Sequence, residues 1–141
     1  MDKGKLNRII DAMKAEDMYQ MIITDPVSIF YLTNAWILPG ERMLALYINV
    51  DGETELFVNK LFPQTKDLGV KITYYDDIED GVEIMSRIVA KDKVIGIDKT
   101  WPSHFLLRLM ELGAGSKFVK GSLIVDKVRQ IKDEKEQELL R

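Results

Sequence analysis

The sequence predicts an α/β domain, with a mixed, mostly parallel central sheet of about six strands and helices on both faces. Three observations lead there. Short apolar, β-rich runs alternate with segments of helical periodicity, the pattern of a sheet covered by helices. Two of the β-rich runs flank Asp51-Gly52, a tight-turn dipeptide, so one pair of neighbouring strands is antiparallel and the sheet is mixed. The 141 residues suit one domain. A chain of that size buries roughly two thirds of its unfolded surface, so it folds without disulfides, and there is no Cys to form one.

The elements follow in order. Leu6, Ile9, Ile10 and Met13 recur at helical spacing and predict an amphipathic helix. Residues 20–24, QMIIT, read as a short buried strand, which Asp25-Pro26 ends because Pro has no N–H for the ladder. Residues 27–34, VSIFYLTN, have strand-like composition, but Asp25 before Pro26 is a helix N-terminus signal and predicts a short helical turn. A loop, AWILPGER at 35–42, leads into the hairpin of 43–59. Residues 60–69 read as a broken helix or loop, and KITYY at 71–75 as a strand. Ile78, Val82, Met85 and Val89 share one helical face. KVIGID at 93–98 is a further strand. Pro102 suits the first turn of a helix that buries Phe105, Leu106, Leu109 and Met110 and stops at Gly113. KFVKG at 117–121 reads as a last short strand, and residues 122–131 as a helix with Ser122 as its cap. From Asp126 to Glu138 charge dominates and the chain reads as a connector. Asp133 with Glu136 forms a capping box, so a helix begins there, and Leu139 and Leu140 start its apolar stripe.

Several functions are disfavoured. The net charge is −3 with both signs interspersed, which argues against a nucleic-acid surface. No apolar run approaches the length of a membrane span, and the charged start lacks the apolar core of a signal peptide. With no Cys, the expected location is cytoplasmic, with no membrane partner.

Most candidate chemistry fails on spacing. GAGS at 113–116 follows a helix, where a dinucleotide loop must precede one. DDIEDG at 76–81 places Ile78 and Arg87 where a calcium loop needs oxygen ligands. His104 is the single histidine and suits the exposed first turn of a helix. Asp25, Asp98 and Asp126 stand at strand and helix ends, where turn and capping roles explain them. The loop at 35–42 is different, because Trp36, Ile37 and Leu38 put apolar bulk in a segment flanked by Gly and Pro. It either packs under the domain or meets a partner. Arg42 has the fork that holds a carboxylate by two hydrogen bonds, although such an Arg is more often a solvated strand flank.

Two segments carry a resemblance. DPVSIFYLTN at 25–34 resembles the stretch near the start of the creatinase, prolidase and aminopeptidase P enzymes. VRQIKDEKEQELLR at 128–141 resembles that family's Arg-x-Ile-Lys-Ser-x-x-Glu junction, matched by Arg129, Ile131, Lys132 and Glu136, with Asp133 in place of the Ser cap. Ser28 stands where the family usually has Asn, and Asn34 where it has Gly.

The resemblance implies a creatinase/prolidase N-terminal-type domain at 1–128. It also implies that 129–141 is a connector and the start of the first helix of a C-terminal catalytic domain absent from this chain. The parent is implied to be a proline-specific metallopeptidase of Xaa-Pro dipeptidase or aminopeptidase P type. Its catalytic domain would bind two divalent ions (Mn, Co or Zn), with no catalytic or metal-ligating residue and no cofactor in this chain. The implied partners are that catalytic domain, a second copy in a homodimer, and peptide substrate. By position, loop 35–42 approaches the partner subunit's active site, which makes Trp36, Leu38 and Arg42 substrate-pocket candidates. The alternative is a stand-alone α/β binding or assembly module without peptidase activity.

Overall fold

A computed structural model describes residues 1–130. The elements are α1 (Lys3–Ala15), β1 (Gln20–Ile23), α2 (Pro26–Thr33), β2 (Ala45–Asn49), β3 (Thr54–Asn59), β4 (Lys71–Tyr75), α3 (Gly81–Ser86), β5 (Val94–Ile97), α4 (Ser103–Glu111), β6 (Lys117–Lys120) and α5 (Ser122–Gln130). The six strands form one sheet in the order β4-β3-β2-β1-β5-β6. The pairs β1/β5, β5/β6 and β3/β4 are parallel, while β1/β2 and β2/β3 are antiparallel. Only β2 therefore runs against the rest, and the other five strands all end at one edge of the sheet. The predicted mixed, mostly parallel six-stranded sheet is the observed one.

Strand pleating divides the core in two. Met21 and Ile23 of β1, Leu46 and Ile48 of β2, and Leu56 and Val58 of β3 pack with α1, α2 and α5. The alternate residues Ile22, Ala45, Tyr47 and Phe57 pack with α3 and α4. Because successive side chains point to opposite faces, a strand covered on both sides must be apolar throughout. That is why β1 and β2 read as continuous runs and not as alternations. The helix α1 buries all four residues its spacing predicts, and Asp2 caps it by accepting from the Lys5 amide.

The hairpin turns at Asp51-Gly52 as expected, the open reading of 60–69 resolves to loop, and two local expectations, at Ile78 and Met110, are corrected. In the hairpin only Gly52 has positive φ, +89°, and the turn closes with the Gly52 amide donating to the Asn49 carbonyl. The parallel β3–β4 crossover is made by turns and loop with no helix. Ile78 lies before α3 and is 94% exposed, because Asp80 caps the helix and starts it one turn later. In α4, Met110 is 48% exposed and only Leu109 is fully buried, with Phe105, Leu106 and Leu112 partly buried against it. Gly113 does end α4 with φ +65°.

The helix α5 passes through position 128 to Gln130. The remainder of the predicted connector, with the capping box at Asp133 and Glu136 and the leucines 139 and 140, lies outside the described residues. Among the described residues no helix is long and apolar enough to cross a membrane.

Candidate functional site

The carboxyl edge of a largely parallel sheet is where α/β folds gather ligand-binding loops. Two clusters occupy it here, one centred on Asp98 and one on loop 35–42.

Asp98 follows β5 and is buried. Its Oδ2 accepts from the amides of Thr24 and Asp25, both at 3.0 Å, and so joins the end of β1 to the end of β5. Its Oδ1 accepts from the Ser122 hydroxyl at 2.9 Å and the Thr100 amide at 3.4 Å. Ser122 does not cap its own helix by the route the sequence suggested, since its oxygen accepts from the Lys99 amide at 2.6 Å while its proton goes to Asp98. Lys99 in turn pairs with Asp126 at 2.9 Å, which raises the lysine pKa. Asp25 caps α2, accepting from the Val27 amide and the Ser28 hydroxyl. Both oxygens of Asp98 are thus committed to protein donors. The turn and capping roles expected of the three aspartates hold for Asp25, whereas Asp98 is a bridge among three segments. Sequence reasoning missed that bridge because the donors it draws from other segments lie 24 to 74 residues away.

Loop 35–42 is fixed at both ends and open in the middle. Upstream, Asn34 ends α2 in the left-handed region at φ +62°, a conformation that Asn accepts more readily than most residues. The Ala35 amide then donates to the Thr33 hydroxyl. Ile37 is only 3% exposed and enters the core beneath α1 and α2. Its neighbours point the other way: Trp36 is 56% exposed and Leu38 61%. Downstream, Arg42 Nε and Nη2 donate to the two oxygens of Asp77 at 2.9 and 3.1 Å. Asp77 also accepts from the Asn59 side chain, and these bonds, that of Arg42 foremost, hold its carboxyl below the usual carboxylate range. The Tyr75 hydroxyl donates to the Met43 carbonyl.

The three candidate residues do not converge on one pocket. Trp36 meets Phe30 of α2 edge-on, with ring centroids 5.9 Å apart at 86°. Phe30 and Val27 are themselves exposed, so α2 and the loop present an apolar surface. Arg42 instead lines a small cleft with Thr24, Gly40, Thr100 and Trp101, without Trp36 or Leu38. Phe30 is the residue that sequence reasoning passed over. Its spacing of three from Val27 places the two on one helical face, the signal that was there to be used. His104 is exposed, as expected, with its ring against Phe105. Among the described residues no three His, Cys, Asp or Glu side chains gather as a metal-ligand set. The described residues therefore do not fit the two divalent ions implied for the parent, and no chemical step is assigned to them on this chain. What this edge offers is an apolar surface of Val27, Phe30, Trp36 and Leu38 on a base anchored by Ile37, with Arg42 engaged separately by Asp77.

The sequence profile of the creatinase/prolidase N-terminal domain matches residues 5–131. The chain belongs to this family. Among solved structures, a proline dipeptidase from Streptococcus pneumoniae superposes with a TM-score of 0.80 at 22% identity, covering 90% of this chain and 98% of that one. A dipeptidase from Pyrococcus horikoshii gives 0.80 at 22% identity, covering 93% of this chain but 38% of its own. At these identities the likeness shows the fold. An uncharacterised peptidase of Staphylococcus saprophyticus is 40% identical over 57 residues, which is 40% of this chain and 16% of the peptidase. This creatinase/prolidase N-terminal domain thus spans a minor part of those two longer relatives.

Proposed function

We propose that this chain is the non-catalytic N-terminal domain of a proline-specific dinuclear metallopeptidase of Xaa-Pro dipeptidase or aminopeptidase P type, acting in the cytoplasm. In that reading it supports dimerisation and shapes the substrate pocket, while metal ions and chemistry reside in a separate catalytic domain. Family membership supports it, as does the small share of the longer relatives that this chain spans. The observation that carries the reading is the mounting of loop 35–42, with Ile37 sunk in the core while Trp36 and Leu38 face solvent. Exposed apolar bulk on a fixed base is what a surface that meets another molecule requires.

Two measurements test it. The pure 141-residue chain with added Mn²⁺ should not hydrolyse Xaa-Pro dipeptides, and turnover would overturn the proposal. In the protein carrying its catalytic domain, Trp36→Ala and Arg42→Ala should raise KM or change the preferred peptide length. Wild-type kinetics in both variants would sink the pocket role.

A further inference from the structure

Arg129, in the last described turn of α5, reaches back to the start of α2. Its Nη1 donates to the Ser28 hydroxyl at 3.3 Å and lies 3.5 Å from Asp25 Oδ2. The three groups form a closed set, because the Ser28 hydroxyl itself donates to Asp25 Oδ2 at 2.9 Å. A helix N-terminus carries partial positive charge and by itself repels a guanidinium. The Asp25 carboxylate at the N-cap of α2 reverses that preference.

The other end of α5 is fixed as well. Ser122 donates to Asp98, the same carboxylate that receives the amides of Thr24 and Asp25 just before α2. The entry to α2 is therefore held from both ends of one helix. At its far end α2 has no slack before the loop. The Asn34 amide closes the helix on the Phe30 carbonyl, and the Ala35 amide is taken by Thr33.

We propose that Arg129 is a positioning residue that locks the last described turn of α5 to α2, so that the orientation of that turn and the placement of loop 35–42 are set together. The coupling is a property of this chain and stands whether or not the loop meets substrate. Ser28, whose hydroxyl joins Arg129 to Asp25, is then part of the lock.

Amide hydrogen exchange on the full 141-residue chain tests it, with Arg129→Gln, Arg129→Lys and Ser28→Ala beside the wild type. Arg129→Gln should speed exchange of the Ile29 and Asn34 amides about tenfold, a change a partly buried charge-assisted contact can produce, and leave amides of β1, β2 and β5 unchanged. Arg129→Lys should restore part of the protection. Coupling is reciprocal, so Ser28→Ala should also speed exchange at residues 128–130. Faster exchange confined to the mutated helix, an equal rise at every amide, or no change would each overturn the proposal. If Arg129→Gln fails to fold, the reciprocal effect of Ser28→Ala decides alone. Loss of the pocket role in kinetic assays would leave these results untouched.

Discussion

Asp98 and Trp36 belong to the two clusters described at the carboxyl edge, and their bonding differs. Both oxygens of Asp98 are occupied by donors from the segment after β1, from α5 and from its own turn. Trp36 leaves more than half of its surface in water and touches Phe30, which is itself exposed. A buried polar group with all its bonds made inside the domain serves the domain, because losing a partner there leaves a desolvated group unpaired. An exposed aromatic on a fixed base leaves apolar area available to another molecule. The difference teaches that here the polar cluster, which looks more like chemistry, is the structural one, and the apolar loop is the candidate for recognition.

The comparison breaks first at Asp98. Asp98→Ala strands three backbone amides and a hydroxyl, so it should destabilise the domain by about 3 kcal/mol or more. A urea midpoint moved by less than the equivalent of about 1 kcal/mol would show that the bridge is dispensable.

The loop supplies its own contrast. Ile37→Ala opens a cavity in the core and should cost about 2–4 kcal/mol. Trp36→Ala, next to it, should cost less than about 1 kcal/mol, because it loses one exposed aromatic edge contact. Equal costs from paired denaturation curves would erase the distinction between base and surface.

The smallest effect concerns the tether of Arg42 to Asp77. The folded-state pKa of Asp77 lies below its ordinary value of 3.8, chiefly through the Arg42 hydrogen bond. A depressed carboxylate adds stability above its unfolded pKa, and that contribution is lost as pH falls through the lower folded value. The Arg42 Nε–H resonance should therefore keep its hydrogen-bonded position at neutral pH and lose it as the pH falls below the ordinary value. Asp77→Asn should abolish that acid transition. A wild-type resonance that stays fixed to the most acid pH tolerated would mean that another contact holds the loop.

Much of this was legible in sequence, element by element. The spacing of Leu6, Ile9, Ile10 and Met13 gave α1 with its buried face correct, because helical periodicity is a local property. Asp25-Pro26 marked the start of α2, since N-cap chemistry belongs to single residues. Ile78 and Met110 misled because periodicity continues past a helix boundary and does not say how wide a stripe the neighbouring elements cover. In loop 35–42 the sequence flagged apolar bulk but not that Ile37 turns inward while Trp36 and Leu38 turn outward. An irregular backbone has no repeat from which to read direction.

By itself the sequence determined the six strands, the five helices of the described residues with a sixth left open at 60–69, the mixed sense of the sheet and the family to which the chain belongs. All of these rest on local pattern or on motifs carried within a few residues. Only the tertiary structure decided that Asp98 bridges β1, β5 and α5, that Arg42 is held by Asp77, and that Arg129 returns to Asp25 and Ser28. Those contacts join residues 24 to 104 positions apart. Which of many polar side chains meet across such distances is fixed by the packing of the sheet and its helices, which no short-range pattern encodes.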